Sequence, residues 1–413
     1  MKLWGCCVII ALLLLSCGNE EDHHQPANNL ISTPQPTKPT NETTPAAPSF
    51  HQKQKAETII SKVSQPVEAR SAEPRQSALP RQDLLSALAF ATVAFPDSIA
   101  SKNPIPLWSN PTVKAAVTSL NRYFIVDFEN DIFTNTDYYF TNGASIGLVH
   151  PALQHLFLAA LLPNAGTSAL NHFGVSLRQN MYTPINPESP EIPVHDRPFA
   201  GVLLLEFYKI STQHLRQLQL KSSFQIGVIG PPSLASLIQK SMHELEPIGW
   251  RYQIKSDLLI NYSIQITRQM LRLRHLDWRT DATLSLGSYH SEVEAGTNLR
   301  FGILPLAFNP FPMAKVGSVE YSSHFKKWLG WLEIEAKGRY NVHDASLYGG
   351  WFNKGSPFTI DPRLRQNLSF GLSVGLGFAY KRIGLGLKIV YLSPEFQHGF
   401  DHRWGAIRVV HNF

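Results

Sequence analysis

The sequence predicts an all-β protein, a closed antiparallel transmembrane barrel of about twelve strands with a short helix in one outer loop. Three observations predict it. Long stretches alternate between apolar and small or polar residues with period two. The chain opens with a secretory signal. It ends on an aromatic, Phe413, at the close of an alternating run.

The alternation is clearest in three places. Leu368, Phe370, Leu372, Val374, Leu376 and Phe378 alternate with Ser369, Gly371, Ser373, Gly375 and Gly377. Leu258, Ile260, Tyr262, Ile264 and Ile266 alternate with Asn261, Ser263, Gln265 and Thr267. Val293, Ala295, Thr297, Leu299 and Phe301 alternate with Glu294, Gly296, Asn298 and Arg300. One apolar face opposite a polar or small face, repeated in long strands, marks a barrel whose outside meets lipid. A soluble sandwich also alternates, but short strands suffice for it.

The chain begins Met1-Lys2, followed by an apolar run from Val8 to Leu15 and then Ser16-Cys17-Gly18. A basic start, a short apolar run and a small-residue cleavage site form a secretory signal. The run is too short to span a bilayer as a helix. Leu14-Leu15-Ser16-Cys17 resembles a bacterial lipobox, which implies cleavage before Cys17 and lipidation of its thiol. Gly18 stands where a signal for inner-membrane retention would place Asp, so an outer-membrane destination is expected. All 3 cysteines, Cys6, Cys7 and Cys17, lie in this segment. That excludes disulfides, cysteine catalysis and Cys-based zinc sites in the mature chain. A formal net charge of +6 with 16% charged residues does not suggest nucleic-acid binding.

The organisation expected is a signal peptide over 1–16, a lipid-anchored tether over 17–81, an apolar pre-barrel segment over 82–120 and the barrel over 121–413. The tether is rich in Pro, Asn, Thr, Gln and Ala, a composition that buries no core. In the pre-barrel segment, Leu84 to Phe95 is an apolar island that either lies on the membrane or packs under the barrel. Twelve strands are read at 121–130, 139–149, 171–183, 199–211, 214–229, 252–268, 277–289, 292–304, 327–341, 367–380, 383–393 and 403–413. An even count puts both barrel ends on the periplasmic side, where a tether from a lipid anchor arrives.

Strand parity then sorts the connections. If the first strand rises from the periplasm, every odd-to-even connection faces outward. The connections 129–139, 183–198 and 230–251 are therefore outer loops. The third reads PPSLASLIQKSMHELEPIGW after Gly230. Its apolar Leu234, Leu237, Ile238 and Met242 predict a short amphipathic helix with Ser233 as N-cap. His243 falls near the end of that helix. Asn130, Asp131, Thr141 and His243 thus share the outer rim. Phe124, Val126 and Phe128 share a face with Asn130, and that face looks at lipid. An Asn there is costly unless it has a partner or a task. Thr141 does not fit this face under strict alternation, so its direction stays open. The connection Glu129 to Gly143 is either a metal-binding or catalytic loop or simply a run of turn formers.

These residues carry a family resemblance. Glu129-Asn-Asp131 followed by Thr136-Asp137 and Tyr139-Phe-Thr-Asn-Gly143 resembles the opening motif of the outer-membrane lipid A 3'-O-deacylase family. Gln179 to Pro184 and Asp196 to Gly201 resemble its third strand and the entry to its fourth. Ile226 to Pro231, then Gln239, His243 and Gly249-Trp250, follow in family order. The resemblance covers about Asn121 to the C-terminus. It implies a twelve-stranded barrel and a calcium-dependent esterase acting on lipid A, the lipid of lipopolysaccharide. A monomer is expected. Carried over, His243 is the general base and Glu246 orients it, with Glu244 as the alternative. Asn130 and Asp131 position Ca2+, and Thr141 adds a hydroxyl. The segment from His243 to Gly249 is shorter than is usual in the family. The loop 184–193 lacks a lysine that some relatives carry there. A silent barrel serving as pore or adhesin, and a barrel phospholipase, are the alternatives. Gly371-Leu-Ser-Val-Gly375 matches the nucleophile pattern G-x-S-x-G, but it sits inside an alternating strand with no helix after it, so it is read as small residues facing a crowded lumen.

The lipobox reading has a direct test. Cys17→Ala should leave an unprocessed precursor and abolish metabolic labelling of the chain with fatty acid. Normal processing of that variant would refute the anchor.

Overall fold

In a computed structural model of the chain, the residues described are 122–413 apart from 135, 137, 190, 192–195, 243–247, 306, 307 and 309–327. The signal peptide, the tether, Cys17 and the pre-barrel segment lie outside these residues. So do His243, Glu244 and Glu246.

Twelve strands form one closed sheet. They are β1 (Tyr123–Asn130), β2 (Tyr139–Val149), β3 (Leu170–Thr183), β4 (Ala200–Gln213), β5 (Leu218–Ile229) and β6 (Asp257–Arg272). The second half comprises β7 (Leu276–Gly287), β8 (His290–Ile303), β9 (Trp328–Asp344), β10 (Leu368–Tyr380), β11 (Ile383–Leu392) and β12 (His402–Asn412). Each pairs antiparallel with its chain neighbours. The barrel closes where β1 meets β12, from Tyr123 opposite Asn412 to Asn130 opposite Gly405. Phe413 completes the seam: its amide donates to the Arg122 carbonyl, and its ring stacks on Phe124 at 4.9 Å. Closure leaves no strand edge, as a wall in hydrocarbon requires.

The alternation read from the sequence becomes an inside and an outside. Leu368, Phe370, Leu372, Val374, Leu376, Phe378 and Tyr380 of β10 are all exposed on the outer wall. Between them Ser369, Gly371, Ser373, Gly375, Gly377 and Ala379 face the lumen. Ser373 is buried within β10, and its hydroxyl donates to Glu335 Oε2 at 3.3 Å. It sits on no strand–turn–helix elbow, as expected.

The strands follow the expected segments closely, with local differences. Residues 214–216 form a 3-10 turn closed by Gln217 at φ 53°, so β5 starts later than expected. Ile248–Tyr252 is likewise a 3-10 turn, so β6 starts at Asp257. The outer helix α1 spans Ala235–Met242. The expected cap needs correction: Leu234, at φ 61°, separates Ser233 from the helix. Ser233 Oγ instead donates to the Gly230 carbonyl at 2.6 Å and accepts from the Ala235 amide at 3.4 Å. A four-residue helix, α2 (Ala345–Tyr348), follows β9 and is capped by Asp344.

One end of the barrel carries the longer connections 131–138, 184–199, 230–256, 345–367 and 393–401. The other end carries the tight connections 214–217, 273–275 and 381–382, together with 150–169, 304–327 and both ends of the barrel. Bacterial barrels keep short turns in the periplasm and longer loops outside, which identifies the first end as the outer one.

The lumen is lined with charges. Lys337 reaches Glu294 and Glu335, each at 3.0 Å, and Lys388 reaches Glu335 at 2.8 Å. Arg300 meets Glu333 at 3.0 Å, and Arg339 meets Glu294 at 3.2 Å. The sequence reading emphasised Gly and Ser in the lumen, and that holds for β10. The small residues make room for bulk carried by neighbouring strands.

Gly377 shows this most sharply. A Cβ there would lie 2.1 Å from Cε2 of Trp331, which is buried against β10. Gly377→Ala should therefore lower the temperature at which the folded barrel converts to the slow-migrating form on gels. Overpacking of this kind costs about 1–3 kcal/mol. Trp331→Leu in the same chain should recover part of the loss, and an unchanged Gly377→Ala transition would refute the contact.

Candidate functional site at the outer rim

Asn130, Asp131 and Thr141 lie close together at the outer rim, where β2 carries a bulge. Phe140 pairs with Tyr182 and Asn142 with Met181, which leaves Thr141 as the extra residue. A bulge shifts the inside–outside alternation by one residue. Phe140 therefore faces the lumen while Asn142 faces outward, directly opposite Asn130 on β1. Thr141 is buried between them, and its hydroxyl donates to the Met181 carbonyl at 3.3 Å. Strict alternation could not orient Thr141 because its register is broken at that residue.

Asn130 is the last residue of β1 and, as expected, shares the outward face with Phe124 and Phe128. Its Oδ1 accepts from the Ile132 amide at 2.8 Å, which starts the 3-10 turn Asp131–Thr134. Asp131 is buried, and its carbonyl accepts from Thr134 Oγ1 at 2.9 Å. The turn folds over the outer wall at β12. Thr134 and Thr136 hydroxyls both donate to the Arg403 carbonyl, at 2.9 and 2.8 Å. Phe133 presses on Gly405, where a Cβ would come within 2.5 Å of it.

On the other flank, α1 lies over the outward face of β3 and β4. Ala235 and Ile238 pack against Met181, Phe199 and Trp250. Gln179, outward on β3, donates to the Ser233 carbonyl at 2.5 Å, and Trp250 Nε1 donates to Gln239 Oε1. Leu234 and Leu237 point away from the barrel and are exposed, as are Ile132 and Phe133 across the site. The amphipathic reading of α1 holds for Ile238. Leu237 is instead exposed. Loop 230–256 is tied down at its start by Gly230, at φ 89° and ψ −156°, a conformation essentially reserved for glycine. A Cβ there would lie 2.5 Å from the Ile254 carbonyl oxygen.

The structure thus brings Asn130, Asp131 and Thr141 together, with Asn142 and Gln179 beside them. His243 and Glu246 follow α1 outside the described residues. Oxygen donors of amide, carboxylate, hydroxyl and carbonyl type suit a hard cation such as calcium. In this respect the residues present fit the expected metal. Among the described residues no group of three or more His, Cys, Asp and Glu side chains is arranged to hold a metal ion.

Sequence reasoning missed a second polar cluster, at the lumen side of the mouth. Arg197, in the motif Asp196 to Gly201, is buried beneath the outer loops. It donates to Ser346 Oγ at 2.9 Å and to Glu395, and it lies 4.3 Å over the Tyr182 ring. Burial opposes its charge, but the carboxylates of Glu395 and Asp344 outweigh that and hold its pKa above the ordinary value. Asp344 accepts from Ser346 Oγ at 2.6 Å and lies 3.5 Å from His290. Asp344 reaches the lumen because β9 also carries a bulge, between its pairings of Asn341 with Glu292 and His343 with Ser291. Arg197 thereby ties loops 184–199, 345–367 and 393–401 to one another, on the opposite side of the wall from Asn130. The cavity in the lumen is about 540 Å³, lined by these groups and by the ion pairs.

A search of curated protein sequences finds no match. Among solved structures, the chain resembles LpxR from Salmonella typhimurium with a TM-score of 0.56 at 17% identity, over 70% of this chain and 100% of that one. The β domain of the Bordetella autotransporter BrkA aligns with a TM-score of 0.37 at 9% identity, over 71% of this chain and 98% of that one. The KdgM porin aligns with a TM-score of 0.32 at 6% identity, over 70% and 99%. The model of the family described as outer membrane protein LpxR matches residues 84–413, so that it includes the apolar segment before the barrel. With its twelve-stranded closed wall and this match over most of its length, the chain belongs to the LpxR family of outer-membrane proteins.

Proposed function

We propose that the barrel is a lipid A deacylase, an esterase that removes the 3'-linked acyloxyacyl chain from lipid A in the outer leaflet. One observation carries the reading. The bulge at Thr141 sets Asn142 beside Asn130 on the outward side of the rim, with exposed Ile132 and Phe133 on the turn that follows Asn130. Polar groups on the lipid-facing edge of a barrel are costly unless they serve a purpose. There they meet a lipid whose acyl chains lie along the wall and whose ester sits at the rim. Family membership supports the same reading. The lumen, crossed by ion pairs, offers the pore alternative no comparable support.

In the mechanism, His243 takes a proton from water as the water oxygen attacks the ester carbonyl. Imidazole suits this task because its unperturbed pKa lies near neutral pH. Glu246 holds the ring in the productive tautomer. The tetrahedral intermediate then expels the sugar 3'-oxygen, which receives the proton from His243. The products are a free fatty acid and lipid A with a free 3'-hydroxyl. Asn130 and Asp131 would hold a calcium ion, and Thr141 would support that site with its hydroxyl. When bound, calcium supplies Lewis-acid polarisation of the carbonyl and stabilises its developing charge. Leu234 and Leu237 keep acyl chains against the rim.

Mass spectrometry of lipid A from cells with and without the protein tests the activity. Loss of the 3' chain is expected, and unchanged lipid A from an assembled barrel would refute it. His243→Ala should lower turnover by about 10²–10⁴ with assembly intact, the usual range for general-base assistance. Glu246→Ala should cost less. Wild-type turnover by folded His243→Ala protein would remove the base. Chelation should abolish hydrolysis and added calcium restore it, and full activity in excess chelator would remove the metal.

A further inference from the structure

The connection 150–169 is anomalous for its end of the barrel. It joins β2 to β3 at the periplasmic end, where tight turns are the rule. It forms two 3-10 turns, Pro151–His155 and Phe157–Leu161, and folds back onto the outer wall.

Its attachment is polar and specific. Glu206 of β4 lines the lumen, so Lys209, Ser211 and Gln213 of the same strand face outward. Lys209 is only 3% exposed, and its ammonium donates to the Leu162 carbonyl at 2.8 Å. Ser211 Oγ accepts from the Ala165 amide at 2.9 Å. Gln213 Nε2 donates to Ser168 Oγ at 2.7 Å. Two strands further round, outward-facing Tyr262 of β6 donates to the Leu161 carbonyl at 2.9 Å. The segment therefore crosses the wall from β4 to β6. A bare lysine on the lipid face is destabilising, most at the midplane and least near an interface. The segment shields Lys209 and satisfies it.

Large apolar side chains of the segment are exposed on its other side, next to exposed Gln154 and His155, and no described residue covers them. Phe157 is 80% exposed, Leu161 57% and Leu156 45%, whereas Leu162 is turned inward and buried. On the lipid-facing rows of the wall, Leu205 of β4 and Ile226 of β5 are exposed as well. A segment held to the wall by polar contacts, with large apolar side chains turned away and the polar Gln154 and His155 beside them, suits the edge of a bilayer, as amphipathic surface segments do.

We propose that residues 150–169 form a lipid-binding foot, clamped to the wall by Lys209, Ser211, Gln213 and Tyr262. It inserts Leu156, Phe157 and Leu161 among phospholipid acyl chains of the periplasmic leaflet. The leaflet follows from the end of the barrel involved, and the inference does not depend on the deacylase reading.

The test uses full-length protein carrying Phe157→Cys or Leu161→Cys, spin-labelled and reconstituted in phosphatidylethanolamine–phosphatidylglycerol vesicles. The parent chain, labelled identically, gives the background from Cys6, Cys7 and Cys17. Collision with oxygen reports lipid, and collision with a water-soluble nickel chelate reports water. Leu376→Cys on the outer wall serves as the lipid reference and Lys354→Cys in an outer loop as the water reference. The oxygen-to-nickel ratio at both foot positions should approach that of Leu376→Cys and exceed that of Lys354→Cys several-fold. A nickel-dominated response would place the foot in the periplasm and overturn the proposal. Low collision with both reagents would show a protein covering and overturn it equally. Both substitutions are at exposed positions, and heat-modifiable migration on gels checks that each barrel has assembled.

Discussion

The structure depends on one constraint: within hydrocarbon, every backbone amide and carbonyl must be paired inside the wall. Pairing of β1 with β12 meets it, and Phe413 locks the seam against Phe124 and the Arg122 carbonyl. Closure dictates the inside–outside alternation of each strand, and that alternation decides which side chains meet lipid and which meet one another. Departures from regular pairing are confined to a few bulges. Two of them lie at the outer end, and each redirects the side chains that follow it.

The bulge at Thr141 turns Asn142 outward toward Asn130. The bulge near the end of β9 turns Asp344 inward toward His290, Ser346 and Arg197. One extra residue in a strand thus creates an outward polar cluster in the first case and an inward one in the second. The two clusters differ in consequence. The inward one is closed upon itself: its ions are paired and its loops are tied together. Beside the outward one, Ile132 and Phe133 are exposed.

The wall uses the same economy at both ends. Near the outer end, α1 covers the outward face of β3 and β4, held by Gln179 to the Ser233 carbonyl. Near the periplasmic end, residues 150–169 cover polar positions on β4 and β6, held by Lys209 and Tyr262 to main-chain carbonyls. In each case a polar side chain on the lipid side of the barrel marks a segment lying over it. Such residues, isolated among outward apolar rows, are informative about what covers a membrane barrel.

The sequence by itself determined the barrel, because period two is imposed by backbone geometry. Each strand must show lipid an apolar row, so Leu368 to Tyr380 or Leu258 to Ile266 reveal their faces without any partner. Strand count, strand parity and the outward direction of Asn130 follow from the same rule. The start of β5 and the cap of α1 were misread, since Gln217 and Leu234 adopt left-handed conformations that their residue types do not announce. Only the tertiary structure decided the direction of Thr141, the partners of Arg197 and the seat of residues 150–169. A bulge is visible only as a break in pairing with another strand. An ion pair such as Arg197–Glu395 joins residues far apart in the chain. The burial of Lys209 depends on a carbonyl delivered by a different connection. These features exist between segments rather than within them, so no local pattern of residues encodes them.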